Sequence, residues 1–311
     1  MGLPADTLRR LLRRARTMAD AKPGPGGPER LLAGRIVANL FFEDSTRTRT
    51  SFSVAAKRLG AGVVDLMGFA SSVSKGETLV DTALNVEALG VDAITVRARQ
   101  AGVARAIADA VSCPVVNAGD GRHEHPTQGL LDAYALAQAA GRLDSFDLAG
   151  LTVAIVGDIA SSRVARSAMA GMSTLGAAVV CVGPPGLAPS GLAALGCRVE
   201  HDLDAVLPHA DAVMMLRMQF ERHDDGKDAP RGEARPSGVI ASVREFRAGY
   251  ALTREREARM KPGAFVMHPG PMNRGLEIDG EVADGPRSII LEQVRAGVAV
   301  RMAVLAELLG V

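Results

Sequence analysis

The stretch RIVANLFFEDSTRTRTSF, residues 35–52, sets two kinds of segment back to back. Its first half, RIVANLFF, is a short apolar run and reads as a β-strand. From Arg47 to Leu59 the pattern is helical. At the junction, the hydroxyl residues Ser45, Thr46, Thr48 and Thr50 interleave with Arg47 and Arg49. The first amide N–H groups of a helix lack internal partners, and the helix dipole favours an anion there. Ser45, Thr46 and Thr48 add hydroxyl donors, and Arg47 adds a fork suited to phosphate oxygens. A lone Ser-Thr-Arg would read as a capped helix with its arginine in water. This density of donors directly after an apolar strand predicts an anion site.

Outward from this stretch, short apolar runs alternate with helical periods. Before it, Leu8, Leu11, Leu12, Ala15 and Met18 recur at helical spacing with Asp6 placed to cap, and KPGPGGP ends that helix. After it come a strand GVVDLM, a helix from Glu77 to Leu89, a strand DAITVR, a helix from Val103 to Val111, a strand PVVNAG and a long helix from Pro126 to Ala140. The polar RLDSFDLAG reads as a hinge. A second series begins at Leu151: strand LTVAIVG, helix from Ser162 to Leu175, strand AAVVCVG, short strand CRVEH, short helix from Leu203 to His209 and strand AVMMLRM. Residues 220–238 are charged and without period, and are expected to form a moving loop. A helix over Val243–Met260, a strand AFVMH and a closing helix from about Ser288 to Leu309 complete the pattern. Such alternation predicts an α/β protein with two doubly wound parallel-sheet domains.

Composition narrows the classes. The 311 residues suffice for two cores, with 47% apolar and 23% charged residues and a net charge of +1. These values exclude a disordered chain and a broad polyanion binder, so neither nucleic acid nor a membrane is an expected partner. Cys113, Cys181 and Cys197 are scattered without CxxC spacing, which predicts reduced, buried thiols. No signal peptide and no apolar run of about 18 residues are evident, so a cytoplasmic, soluble protein is expected.

Ligands of open parallel sheets gather at the carboxyl ends of strands. Arg97 closes DAITVR there. His125 and Gln128 follow PVVNAG, Arg163 follows LTVAIVG, and Arg217 with Gln219 closes AVMMLRMQ. Gly270 and Pro271 follow the last strand in a turn where backbone carbonyls can face a ligand. Together these predict a cleft of concentrated positive charge for a ligand with several negative charges. His123 and His125, two apart, are a poor match to the ligand spacing of a helical or finger metal site. VGDIASSR lacks G-x-G-x-x-G, and neither a P-loop nor a G-x-S-x-G elbow occurs.

These motifs are recognisable as a set. FFEDSTRTRTSF resembles the S-T-R-T-R phosphate loop of the carbamoyltransferase family, and HPTQGLLD its H-P-x-Q motif. SSVSKGETLVDT is similar to its K-G-E loop, and VGD followed by Arg163, LRMQFER and MHPGPMNRGLEI also fit. The similarity is nearest to the branch whose acceptor is L-aspartate, because the H-C-L-P and serine-methionine-glycine motifs of the ornithine branch are absent. It implies transfer of a carbamoyl group from carbamoyl phosphate to the α-amine of L-aspartate, an early step of pyrimidine synthesis, with no metal or organic cofactor. It implies a carbamoyl-phosphate domain of residues 1–126 and 289–311, to which the C-terminal helix returns, and an aspartate domain of residues 127–288.

The resemblance also assigns roles. Ser45, Thr46, Arg47 and Thr48 would bind phosphate. Arg97 would join them and, with Thr48 and His125, reach the carbonyl oxygen. Gln128 and the carbonyls of Gly270 and Pro271 would hold the carbamoyl amide. Arg163 would hold the α-carboxylate of aspartate, and Arg217 with Gln219 its β-carboxylate. Ser71 and Lys75 would come from an adjacent subunit of a homotrimer with shared sites, for which regulatory chains or a dihydroorotase are candidate partners. Glu43 is expected to pair with an arginine of the aspartate domain.

Overall fold

The computed structural model describes residues 2–22, 24, 27–67, 77–218 and 242–311. The expected loop over 220–238 and the residues Ser71, Lys75 and Gln219 lie outside that set. The chain forms two compact units. The first comprises Met1–Tyr134, Leu143–Phe146 and Val294–Val311, and the second Ala135–Arg142 and Asp147–Gln293.

In chain order the elements of the first series are α1 (Ala5–Asp20), β1 (Ile36–Phe41), α2 (Thr46–Arg58), β2 (Gly62–Met67), α3 (Leu79–Ala88), β3 (Ala93–Ala98), α4 (Val103–Ala110), β4 (Val115–Asp120) and α5 (Pro126–Ala139). The four strands are parallel in the order β2-β1-β3-β4. Alternation along β1 divides the core. Val37 and Phe41 pack with Phe52, Ala55, Ala56 and Leu59 of α2. Ala38 and Leu40 pack on the other face with Ala83, Val86, Ile94, Val96 and Ile107. Asn39 is fully buried in the central strand, where Thr95, Ser53 and Asp65 satisfy it. A buried amide bonded to neighbours on both flanks resists any slip of strand register.

The second series runs β5 (Thr152–Val156), α6 (Arg163–Thr174), β6 (Ala178–Val182), β7 (Arg198–Glu200), α7 (Leu203–Val206), β8 (Ala212–Met215), α8 (Val243–Tyr250), α9 (Arg254–Glu257), β9 (Phe265–Met267), α10 (Gly280–Ala283) and α11 (Ile290–Leu308). Its five parallel strands are ordered β7-β6-β5-β8-β9. Val156, Val182, Met215 and Val266 share a core with Leu203, Leu207 and Leu252. The last helix belongs to the first unit: Ala299, Met302, Leu305 and Ala306 of α11 join the core that holds Val37 and Phe52. The closing helix thus returns to the N-terminal unit.

Two local expectations need correction. Asp6 does not cap α1; Pro4 holds the N-cap position and Asp6 lies in the first turn, where its charge favours the dipole. The helix over Val243–Met260 is broken. Leu252 is extended and pairs with the 277–279 segment, its N–H donating to the Glu277 carbonyl at 2.9 Å and its carbonyl accepting from Asp279 at 3.1 Å. Thr253 then caps a new short helix. The half-turn is held by Arg256, which donates to the carbonyls of Ala248 and Ala251 and to both oxygens of Asp204. Helical periodicity spans the break because Leu252 within it is buried, as are Phe246 before it and Met260 after it.

Candidate active site

In the first unit, the predicted anion loop sits at the carboxyl end of β1, and β3 lies beside it. The Phe42 N–H donates to the Arg97 carbonyl at 2.9 Å, which ties the loop to that neighbouring strand. Ser45 occupies the N-cap of α2 with extended backbone, but its hydroxyl makes no cap bond. The helix is therefore not closed by its own cap at its positive end. Thr46 and Arg47 are exposed there, while Thr48 turns into the protein and is buried. Arg97 is nearly buried; it donates to the Ala118 carbonyl at 3.5 Å and to Glu43 Oε1 at 3.4 Å. The partner found for Glu43 thus includes an arginine of its own unit.

His125 and Gln128 come from the start of α5 and are both buried. The turn before them is built on Asp120, the last residue of β4. Its carboxylate accepts from Asn117 Nδ2 (2.9 Å), Gly102 N–H (2.8 Å) and Glu124 N–H (3.1 Å), and meets His123 Nδ1 at 3.0 Å. Burial opposes ionisation of Asp120, yet these donors outweigh it and hold the carboxyl below its ordinary range. His123 is thereby part of the turn. Among the described residues, no group of three or more His, Cys, Asp or Glu side chains could hold a metal ion. Gln128 Nε2 donates to Asp132 Oδ1 at 2.9 Å. A carboxylate can only accept, so this bond fixes which end of the amide is the nitrogen and leaves the Gln128 oxygen as the end able to accept from a ligand.

In the second unit, the ends of three adjacent strands carry the other predicted residues. Gly157 follows β5 at φ 123°, and a Cβ there would meet the Leu216 carbonyl at 3.2 Å. The loop closes with Asp158, Ser161 and Ser162 buried. The Ser162 hydroxyl caps α6 by accepting from the Ala165 N–H at 3.1 Å, which fixes Arg163 as the first, buried residue of that helix. Arg217 follows β8 and is half-exposed. Gly270, at φ 67°, and Pro271 follow β9 and are joined by a cis peptide.

Profiles of known families match both halves of the chain. Residues 1–138 match the carbamoyl-P binding domain of aspartate/ornithine carbamoyltransferase, and residues 149–308 match its Asp/Orn binding domain. The chain belongs to the aspartate/ornithine carbamoyltransferase family. The aspartate carbamoyltransferase catalytic subunit of Myxococcus xanthus is 54% identical to this carbamoyltransferase over 306 residues, covering 98% of this chain and 96% of the relative. A solved aspartate transcarbamoylase from Trypanosoma cruzi, in complex with N-(phosphonacetyl)-L-aspartic acid, is 30% identical with a TM-score of 0.83, covering 98% and 92% of the two chains. The ornithine carbamoyltransferase of Thermus thermophilus is 27% identical with a TM-score of 0.81, covering 99% and 96%.

This carbamoyltransferase also has buried ionic and polar residues in each unit to which the resemblance assigned no role. Arg301 of α11 is buried, donates to Ser51 Oγ of α2 at 2.8 Å and to the Gly297 carbonyl at 3.1 Å, and lies 5.1 Å from the Phe52 ring centroid. Burial pushes its guanidinium down to about 10, with Asp132 acting against that shift and Arg97 adding to it. Arg301 therefore stays charged at neutral pH. Asp132, Arg301, His268 and Glu277 are all buried. In sequence, a buried ionic residue on an apolar helix is a departure from amphipathic pattern, and Arg301 within VAVRMAVL is visible in that way.

Proposed function

We propose that the chain transfers the carbamoyl group of carbamoyl phosphate to the α-amine of L-aspartate, giving N-carbamoyl-L-aspartate and phosphate. The observation that carries this reading is the start of α2, a helix whose own N-cap side chain leaves it unclosed, set against Arg97 on the next strand. Phosphate oxygens would accept from Ser45, Thr46, Arg47 and Thr48, with Arg97 alongside. Gln128 would accept from the carbamoyl –NH2, helped by the carbonyls of Gly270 and Pro271. Two cations at strand ends of the second unit, Arg163 and Arg217, suit the two carboxylates of aspartate and would leave the cationic side chain of ornithine unmatched.

The chemistry follows from these donors. The neutral aspartate amine attacks the carbamoyl carbon, and negative charge builds on the carbonyl oxygen. Thr48, Arg97 and His125 donate to that oxygen, which favours the transition state over the ground state. The bond between the carbamoyl carbon and the bridging oxygen then breaks, and phosphate departs with that oxygen, its charge balanced by Arg47 and Arg97. The departing phosphate can take the amine proton, so no strong side-chain base is required. Holding both substrates replaces an encounter in solution and lowers the entropic part of the barrier. We propose in addition that chains assemble as homotrimers in which Ser71 and Lys75 serve a neighbouring site and Gln219 assists Arg217.

The test is carbamoyl-phosphate-dependent product formation with L-aspartate and L-ornithine in parallel, for the parent and for Arg47→Ala. Carbamoyl-aspartate alone is expected from the parent, with a fall of at least about 100-fold in Arg47→Ala. Carbamoyl-ornithine from the parent would overturn the roles of Arg163 and Arg217. A normal rate in Arg47→Ala would overturn the phosphate loop.

A further inference from the structure

The turn after β9 is held by a buried pair that no motif assigns to the reaction. The His268 and Glu277 side chains are fully buried. The Gly270 N–H donates to His268 Nδ1 at 2.8 Å. That ring nitrogen is an acceptor, so the ring proton sits on Nε2, which lies 3.2 Å from Glu277 Oε1. The same carboxylate oxygen accepts from the Asn273 N–H at 2.6 Å. Asn273 in turn donates to the Met218 carbonyl at 3.5 Å, next to Arg217. The backbone at this residue is fixed as well, because the main-chain N–H of His268 donates to Gln293 Oε1 at 2.9 Å.

We propose that Glu277 and His268 are positioning residues for carbamoyl transfer, acting through the Gly270 amide to aim the carbonyls of Gly270 and Pro271 at the carbamoyl –NH2. Glu277 selects the Nε2–H tautomer. That tautomer presents a bare Nδ1 two residues ahead of its own backbone, and Nδ1 captures the Gly270 N–H. Glycine at φ 67° has the widest conformational choice of any residue, so the turn needs an external tether to keep one carbonyl direction. A purely packing role would need neither the tautomer nor the buried carboxylate. The inference rests on the reading of this turn as a carbamoyl contact.

Three variants at His268 and one at Gly270 separate the cases. Asparagine places an oxygen where Nδ1 stands and can accept from the second residue on, as in an Asx turn. Glutamine reaches Glu277 with an N–H but puts no acceptor at the Nδ1 position. Leucine supplies neither. The readouts are KM for each substrate, kcat, competition by inorganic phosphate and thermal unfolding. His268→Gln and His268→Leu are expected to raise KM for carbamoyl phosphate about tenfold, the scale of one lost hydrogen bond. KM for aspartate and competition by inorganic phosphate should stay within about twofold, and His268→Asn should recover to within about threefold of the parent. Gly270→Ala, strained at its positive φ, should raise the same KM. If Gly270→Ala raises it and neither His268→Gln nor His268→Leu does, the positioning role fails while the carbamoyl contact stands. If none of them raises it, the contact itself fails. If asparagine is as poor as leucine, acceptance at Nδ1 is not the operative bond and the proposal is overturned. Should leucine not fold, the asparagine and glutamine pair still decides.

Discussion

Asp120 shows how one carboxylate organises the turn that leads into the candidate residue His125. It draws three polypeptide segments together ahead of His125, from Gly102, from Asn117 and from residues 123–124. Because its folded state holds the carboxyl below the ordinary range, its contribution to stability is present above the unfolded value of about 3.9 and is lost as the pH falls through the lower folded value. Asp120→Asn should therefore cost about 2 kcal/mol near neutral pH. In melts from pH 7 to pH 3, the variant should lose less stability than the parent, so that the two curves converge at the acid end. Parallel curves would show that the charge on Asp120 is not what holds the turn. At this scale, much of the candidate site was legible: Arg47, Thr48, Arg97, His125 and Gln128 lie in or beside local motifs, and the structure gathers them at one sheet edge. Asp132 and Glu277 were not: Glu277 meets His268 only once the turn after β9 is folded, and Asp132 carries no mark of its own. Asp132 stands four residues from Gln128, yet nothing in HPTQGLLD distinguishes it from a surface carboxylate.

Each of the two sheets places its candidate ligand groups in the same way: an apolar strand ends, a short loop turns, and a helix begins. Strand runs and helix faces were readable because their periods differ, and Leu8, Leu11, Leu12, Ala15 and Met18 are buried as their spacing requires. The break between α8 and α9 was not readable. It depends on a β-bridge from Leu252 to Ile278 and on Arg256 reaching back to two carbonyls, and neither contact leaves a local trace. At the start of α6, the cap and the site are adjacent residues. Ser162→Ala should cost about 1 kcal/mol of stability and loosen the first turn that carries Arg163. KM for aspartate should rise, while KM for carbamoyl phosphate stays close to the parent value. Ser162→Asn, which also caps, should restore both stability and KM. Equal effects on the two KM values would mean that Arg163 is not an aspartate ligand or that Ser162 does not govern its placement.

For the molecule as a whole, the proposed sharing of sites between subunits has a direct test. An Arg47→Ala chain and a Lys75→Ala chain, each inactive alone, should regain activity when unfolded and reassembled together, because some sites in mixed trimers would then have both residues intact. Trimers that mix and remain inactive would show that each chain serves itself. The two-domain architecture was legible from two runs of alternating strands and helices. The division of the chain between the units was less so, since it depends on which sheet the last helix covers. Ala299, Met302, Leu305 and Ala306 answer that by packing with Val37, Phe41, Phe52 and Leu59. This return sets an order on synthesis. Residues 147–293 of the second unit emerge from the ribosome as nearly all of one domain and can fold as they appear. The first unit, although translated earlier, waits with the α2 side of its sheet partly bare until residues 290–308 are made. Transcripts or translation events that stop short of those codons yield chains with an intact STRTR loop on an open core, fit for chaperones and proteases and without use as enzyme. Control over completed translation is, for this fold, control over the earliest-made half of the protein.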